Sequence, residues 1–392
     1  MRDVFIVSAV RTPVGKRNGY LREWMAPNLL GTVLDAVVER VDLDPALVED
    51  IVNGTVYQVG EQGFTLARTG GLASRLPDHV PGVSVNRQCG SSLTAIQIAC
   101  GMIASNVMDV VIASGCELMS KYPIGCDVGG TLPDGRPQGL PYGEFYIKRV
   151  RGKFYNQAQA AQAIAENWGV TKEGCDAFAV SSHQKAHNAT VNGYFKNEIL
   201  PMRGLDKDGK EILQEEDETI RPDTSLEKLA TLKPVLGSDW ITAGISSPVT
   251  DGASAVLLVS GEKVRELNLK PLARIVASAV VGSDPVFMLS GPLVVTPKVL
   301  KKAGMKMDDI DIFEVNEAFA PVPLAWAKEL DAPMEKLNVN GGAMALGHPV
   351  GNSGCRLTVT AINELVRRKA SYALVTLCTG GAMAPATIFE RC

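Results

Sequence analysis

The 392-residue chain, 46% hydrophobic, can bury a large core and has the length of two or three domains, which excludes a disordered polymer. Its 39 basic and 43 acidic residues give a net charge of -4, and aromatics are only 6%, so nucleic acid is excluded as the expected partner. A few local Lys and Arg side chains can still hold a small anionic ligand.

From the N-terminus, the first apolar run is too short and too charged at its flanks for a signal peptide, and no later stretch approaches the roughly 18 residues of a membrane span. A soluble, cytoplasmic protein is expected. Strand-length runs recur at Phe5 to Val10, Asp50 to Val56, Asp109 to Ser114, Arg274 to Val281, Asp311 to Val315 and Ala373 to Leu377. Each precedes a Gly-containing turn and a helical pattern, the alternation of an α/β protein. The runs also pair in order between the halves, "EDIVNGT" with "DIDIFEVNE", "VSVNRQCGSS" with "LNVNGGAMALGHPVGNSG" and "DVVIASG" with "ALVTLCTGG". A constant offset of about 250 to 270 residues points to a duplicated domain. The expected organisation is an N-terminal half over 1–120, completed by about 251–270, a Gly/Pro-rich and charged excursion over 121–250, and a C-terminal half over 271–392.

Eight cysteines, at 89, 100, 116, 126, 175, 355, 378 and 392, form no CxxC pair and are too sparse for a disulfide scaffold, so reduced thiols are expected. Cys89 stands where a strand ends and a helix begins, a place where unpaired N–H groups and the helix dipole lower a thiol's pKa. A buried structural cysteine is the competing reading. His348 lies in the glycine-rich "GGAMALGHPVGNSG" and can act as a general base, or cap the helix after Ser353. Cys378 leaves a strand for a Gly380–Gly381 turn whose amides can bind an anion, or else it simply packs. Asn316 in "EVNEAFA" can orient a water or cap a helix. Duplication would bring these strand ends to one face as a nucleophile, a base, a second acid/base and an oxyanion donor. His183 and His187, at i, i+4 spacing, have no third ligand and read as a solvated helix face, so no metal site is expected. With no P-loop and no dinucleotide fingerprint, no nucleotide or redox cofactor is expected.

"NRQCGSS", "NEAFA", "NVNGGAMALGHPVGNSG" and "CTGGAM", in this order and spacing, resemble the thiolase family, and the likeness runs from "VFIVSAVRTPVGK" to "ATIFERC". The resemblance implies two βαβαβαββ halves in a five-layer αβαβα core with an inserted loop domain for coenzyme A, and a homo-oligomer, either a dimer or a dimer of dimers. It implies thiolytic cleavage of 3-ketoacyl-CoA, or the reverse Claisen condensation, with coenzyme A as co-substrate and no permanently bound cofactor. Cys89 is then the acylated nucleophile, His348 its base, and Cys378 the acid/base. Asn316, through a water, forms one oxyanion hole with His348, and the amides of Cys89 and Gly380 form the other. Ser247 would meet the pantetheine arm and Arg221 and Lys228 the nucleotide end. Met288 and Phe319 would line the channel, although core packing accounts for both equally well. Asn156–Gln157 replaces the His-Met pair of short-chain acetoacetyl-CoA thiolases, which favours a longer or bulkier acyl group and places Asn156 beside the substrate. Three alternatives stand beside this reading. A biosynthetic short-chain thiolase and a non-catalytic thiolase-like subunit are the first two. The third, a decarboxylating condensing enzyme, is disfavoured by the second cysteine.

Overall fold

The computed structural model describes residues 2–392. Its main strands are β1 (Val4–Arg11), β2 (Asp50–Gly54), β3 (Gly82–Val85), β4 (Val110–Leu118), β5 (Thr250–Ser260), β6 (Ala273–Gly282), β7 (Ile312–Val315), β8 (Tyr372–Thr376) and β9 (Met383–Arg391). In the N-terminal half β2 runs parallel to β4, and β4 and β1 are each antiparallel to β5. The C-terminal half repeats this arrangement, with β7 parallel to β8 and with β8 and β6 each antiparallel to β9. A short antiparallel contact between β1 and β6, through Phe5 and Ile6, joins the two.

The starts of equivalent elements confirm the duplication. Residues 50 and 312, 110 and 372, and 91 and 353 are each separated by 262 residues. The last pair opens two helices, Ser91–Ala104 and Ser353–Arg368, which follow the "CGSS" and "GNSG" turns.

Three apolar clusters define the layers. Val7 and Val10 of β1 pack with Leu30, Val33 and Leu34 of the outer helix Ala26–Glu39. Val4, Ile6 and Ala9, on the opposite face of the same strand, pack with Leu93 and Ile96 of one central helix and Leu357 and Ile362 of the other. The C-terminal sheet buries its far face against Val299 and Trp326 of the outer helices Gly291–Ala303 and Pro321–Glu329. Period-two alternation thus feeds both faces of each sheet, giving the five-layer αβαβα core. The central helices approach so closely that a Cβ on Gly354 would lie 2.3 Å from the backbone nitrogen of Leu93. The chain between β4 and β5 includes the helices Gln157–Trp168 and Lys172–Val191, which pack over the C-terminal half through Ser182, whose hydroxyl donates to Glu317 at 2.7 Å. Among the described residues, no helix is long and apolar enough to cross a membrane.

Candidate active site

Cys89 sits between β3 and the helix Ser91–Ala104, on a turn held by side chains. Asn86 Oδ1 accepts from the Gln88 N–H at 2.8 Å, and the Gln88 carbonyl accepts from the Ser91 hydroxyl at 2.6 Å. Gln88 itself has φ +47°, a left-handed conformation that costs a residue with a Cβ roughly 1–3 kcal/mol and persists only where its surroundings enforce it. The N–H of Cys89 on this turn and that of Gly380 on the loop after β8 both reach the Cys89 sulfur, where they favour a thiolate. Burial opposes them and prevails, because Cys89 is 5% exposed and its pKa is pushed up to about 11. Desolvation at this depth therefore outweighs the two N–H groups, and the resting thiol does not have the depressed pKa that its place before a helix suggests.

His348 lies on the loop that enters the other central helix. Ser353 Oγ donates to the Pro349 carbonyl at 2.9 Å, so its proton is committed and the oxygen accepts from His348 Nδ1–H at 2.5 Å. With the proton on Nδ1, Nε2 carries the lone pair, which accepts from the Asn316 side-chain amide at 3.3 Å. Burial and then the Arg356 charge lower the imidazole pKa to about 3, which keeps the ring neutral. Cys378 is fully buried just beyond β8, and burial followed by the nearby Cys89 raises its pKa. Cys89 packs with Tyr57, Met119 and Val350. The Ser92 N–H, three residues after Cys89, donates to the Gly351 carbonyl at 3.2 Å, which ties the nucleophile's helix to the histidine's loop.

A cavity of about 450 Å³ leads to this cluster and is lined by His348, Phe319, Ser247, Arg221, Met119 and Val350, among others. Ser247 is anchored by its N–H to the Ala318 carbonyl at 3.0 Å. Four expectations need correction. Asn156 does not face the cavity, because it caps the helix Gln157–Trp168, accepting from the Gln159 N–H at 3.1 Å and donating to the Leu236 carbonyl at 2.7 Å. Gln157 lines the cavity instead. Lys228 turns outward to pair with Asp223, and Met288 is half-buried against the C-terminal core, so neither lines the cavity. His183 is not solvated. It is 5% exposed, lines the cavity, accepts the Arg221 N–H on Nδ1 at 3.1 Å, and is pushed by burial to a pKa of about 4.

In the sequence, Gln157 stands out only as half of the Asn156–Gln157 pair, His183 reads as solvated, and Ser353 has no assigned chemical role. For Ser353 a signal existed in its position five residues after His348, at the first residue of a helix. Among the described residues, no three or more His, Cys, Asp or Glu side chains converge as metal ligands.

A buried cysteine, a neutral imidazole and a second cysteine at the junction of two duplicated halves fit the class of acyl-transfer enzymes. The chain matches the family models "Thiolase, N-terminal domain" over residues 4–262 and "Thiolase, C-terminal domain" over residues 269–391. A 3-ketoacyl-CoA thiolase of Aliivibrio fischeri is 41% identical over 100% of both chains. A steroid 3-ketoacyl-CoA thiolase of Mycobacterium tuberculosis is 40% identical over 100% of this chain and 95% of its own. The crystal structure of human mitochondrial 3-ketoacyl-CoA thiolase superposes with a TM-score of 0.92 at 37% identity, covering 100% of this chain and 99% of that one. The chain belongs to the thiolase family. It is an acyltransferase with the family's CoA-dependent cleavage and condensation activity.

Proposed function

We propose that the protein cleaves 3-ketoacyl-CoA with coenzyme A to give acetyl-CoA and a shortened acyl-CoA, through an acyl-Cys89 intermediate. The observation that carries this reading is the convergence of the Cys89 and Gly380 amides on the Cys89 sulfur, next to Cys378 and a neutral His348 whose unprotonated Nε2 accepts from the Asn316 amide. His348 takes the Cys89 proton as the sulfur attacks the 3-keto carbon, and the two amides hold the resulting oxyanion. The C2–C3 bond breaks and the electron pair becomes the acetyl-CoA enolate. Its oxygen is met by His348 and by a water on Asn316, whose Oδ1 has no protein partner. Cys378, whose raised pKa keeps it protonated until a strong base appears, gives its proton to C2. Its thiolate then removes the proton from the incoming coenzyme A, which attacks the acyl-Cys89 thioester and releases the shortened product, while Cys89 leaves as a thiolate and regains its proton from His348. Coenzyme A is thus a co-substrate, with Ser247 near its pantetheine arm and Arg221 near its nucleotide.

The substrate is a 3-ketoacyl-CoA longer or bulkier than acetoacetyl-CoA. Gln157 at the cavity wall, beside Met119 and Phe319, supports this, and the relatives' names point the same way. The protein works in the cytoplasm, and its exposed apolar side chains, Phe64 at 95% and Phe145 at 84%, support a dimer or a dimer of dimers. A panel of 3-ketoacyl-CoA substrates of graded length and bulk tests the assignment. Rates rising beyond acetoacetyl-CoA support it, while turnover of acetoacetyl-CoA alone overturns the chain-length reading.

A further inference from the structure

Behind the nucleophile lies a carboxylate that this mechanism does not use. Glu117, near the end of β4, is 0% exposed. Its Oε2 accepts from the Val56 N–H at 2.8 Å and the Gly351 N–H at 2.9 Å, and its Oε1 accepts from the Tyr57 N–H at 3.2 Å and Gln62 Nε2 at 2.7 Å. Four donors from three separate chain segments converge on one carboxylate with no cation among them. A buried carboxylate held this way is costly to desolvate and gains its stability from charge-assisted bonds to backbone N–H groups.

The segments it gathers are those that carry the chemistry. The Val56 carbonyl accepts from Asn86 Nδ2 at 2.9 Å, and Asn86 in turn fixes the Gln88 N–H, so one arm leads from Glu117 to the turn of Cys89. The other arm is Gly351, three residues after His348 and two before Ser353, whose carbonyl also receives the Ser92 N–H. Only glycine fits there, because a Cβ would stand 2.4 Å from Glu117 Oε2 and 2.8 Å from the Thr55 Cα. We propose that Glu117 is a positioning residue that holds the Cys89 turn of one half and the His348 loop of the other in register, an inference that rests on the acyl-Cys89 reading. The carboxylate has a second effect at the same place. Burial raises the carboxyl's own pKa to about 7, so above that pH its negative charge adds a small opposition to ionisation at Cys89, where burial is the main reason the thiol stays neutral.

Glu117→Gln separates these effects. It keeps the side chain's size, turns an NH2 group towards donors that need an acceptor, and removes the charge. In folded variant, checked by thermal unfolding, kcat for thiolysis should fall about ten-fold or more, the cost of one or more mispaired buried donors, with KM for coenzyme A within about two-fold. Alkylation of Cys89 by iodoacetamide at pH 8, followed by peptide mass spectrometry, should instead accelerate, because the opposing charge is gone. Turnover down with thiol reactivity up is the expected signature. Unchanged turnover, or alkylation that is unchanged or slower, overturns the proposal. Should Glu117→Gln fail to fold, Glu117→Asp keeps the charge but shortens the reach. It should lower kcat similarly while leaving the alkylation rate within about two-fold, and full turnover in that variant overturns the proposal. Parent enzyme that forms no acyl-Cys89 would refute the reaction itself, whereas the alkylation comparison reports on Glu117 independently.

Discussion

Ser353→Ala tests how the base is prepared. The substitution removes the acceptor of His348 Nδ1–H, at 2.5 Å in the parent, and leaves a donor buried in a site where His348 is 4% exposed. Such a donor costs roughly 1–3 kcal/mol when unpaired. The ring relieves that cost by moving its proton to Nε2, where the unpartnered Oδ1 of Asn316 can accept it after the amide rotates. Nε2 then lacks the lone pair that accepts the Cys89 proton. A tautomer shift of this size lowers the productive population, and with it kcat, by about 5- to 150-fold. Ser353 does not line the cavity, so KM for coenzyme A should stay within about two-fold. Steady-state thiolysis, with thermal unfolding as a control, measures this. A folded Ser353→Ala enzyme with parental kcat would refute the tautomer assignment.

Cys378→Ala should still form acyl-Cys89 but block carbon–carbon cleavage, so full thiolysis in that variant contradicts its role as acid/base. Asn156→Ala should cost about 1 kcal/mol of stability through the lost helix cap and leave KM unchanged, whereas Gln157→Ala should alter KM across the acyl series; the reverse pattern would restore Asn156 to the site. Lys228→Ala should leave coenzyme A binding unchanged while Arg221→Ala weakens it, as measured by KM. Iodoacetamide should label Cys89 at a rate that climbs with pH towards about 11, because the thiolate gains population only as pH approaches the raised pKa. A plateau near neutrality would mean that the dipole prevails over burial after all.

The duplication was legible because each half buries both faces of its sheet, so the strands of both repeats are β-branched runs at a constant spacing. Thr250–Ser260 was harder to read, since its first half is "TDGASA", small and polar residues that are buried only because neighbouring strands and the His348 loop close over them. Cys89, His348, Cys378 and Asn316 stood out because strand ends and glycine turns are local features. What the sequence could not convey was depth. The same helix N-terminus that would activate an exposed thiol is overruled by burial at Cys89. Asn156 and Gln157 are adjacent, and which of them faces the cavity is set by where the helix begins. His183 looked solvated because its helix is mostly polar, yet that helix lies between the cavity and the C-terminal half. Long-range contacts decide the first and third cases, and the local helix cap decides the second.

The central claim is that Cys89 carries the acyl group. Incubating the protein with a 3-ketoacyl-CoA, quenching in acid and mapping the peptides by mass spectrometry tests it directly. The acyl mass should appear on the peptide containing Cys89, disappear when coenzyme A is added, and be absent from Cys89→Ala. Acylation elsewhere, or turnover that persists in Cys89→Ala, would contradict the account.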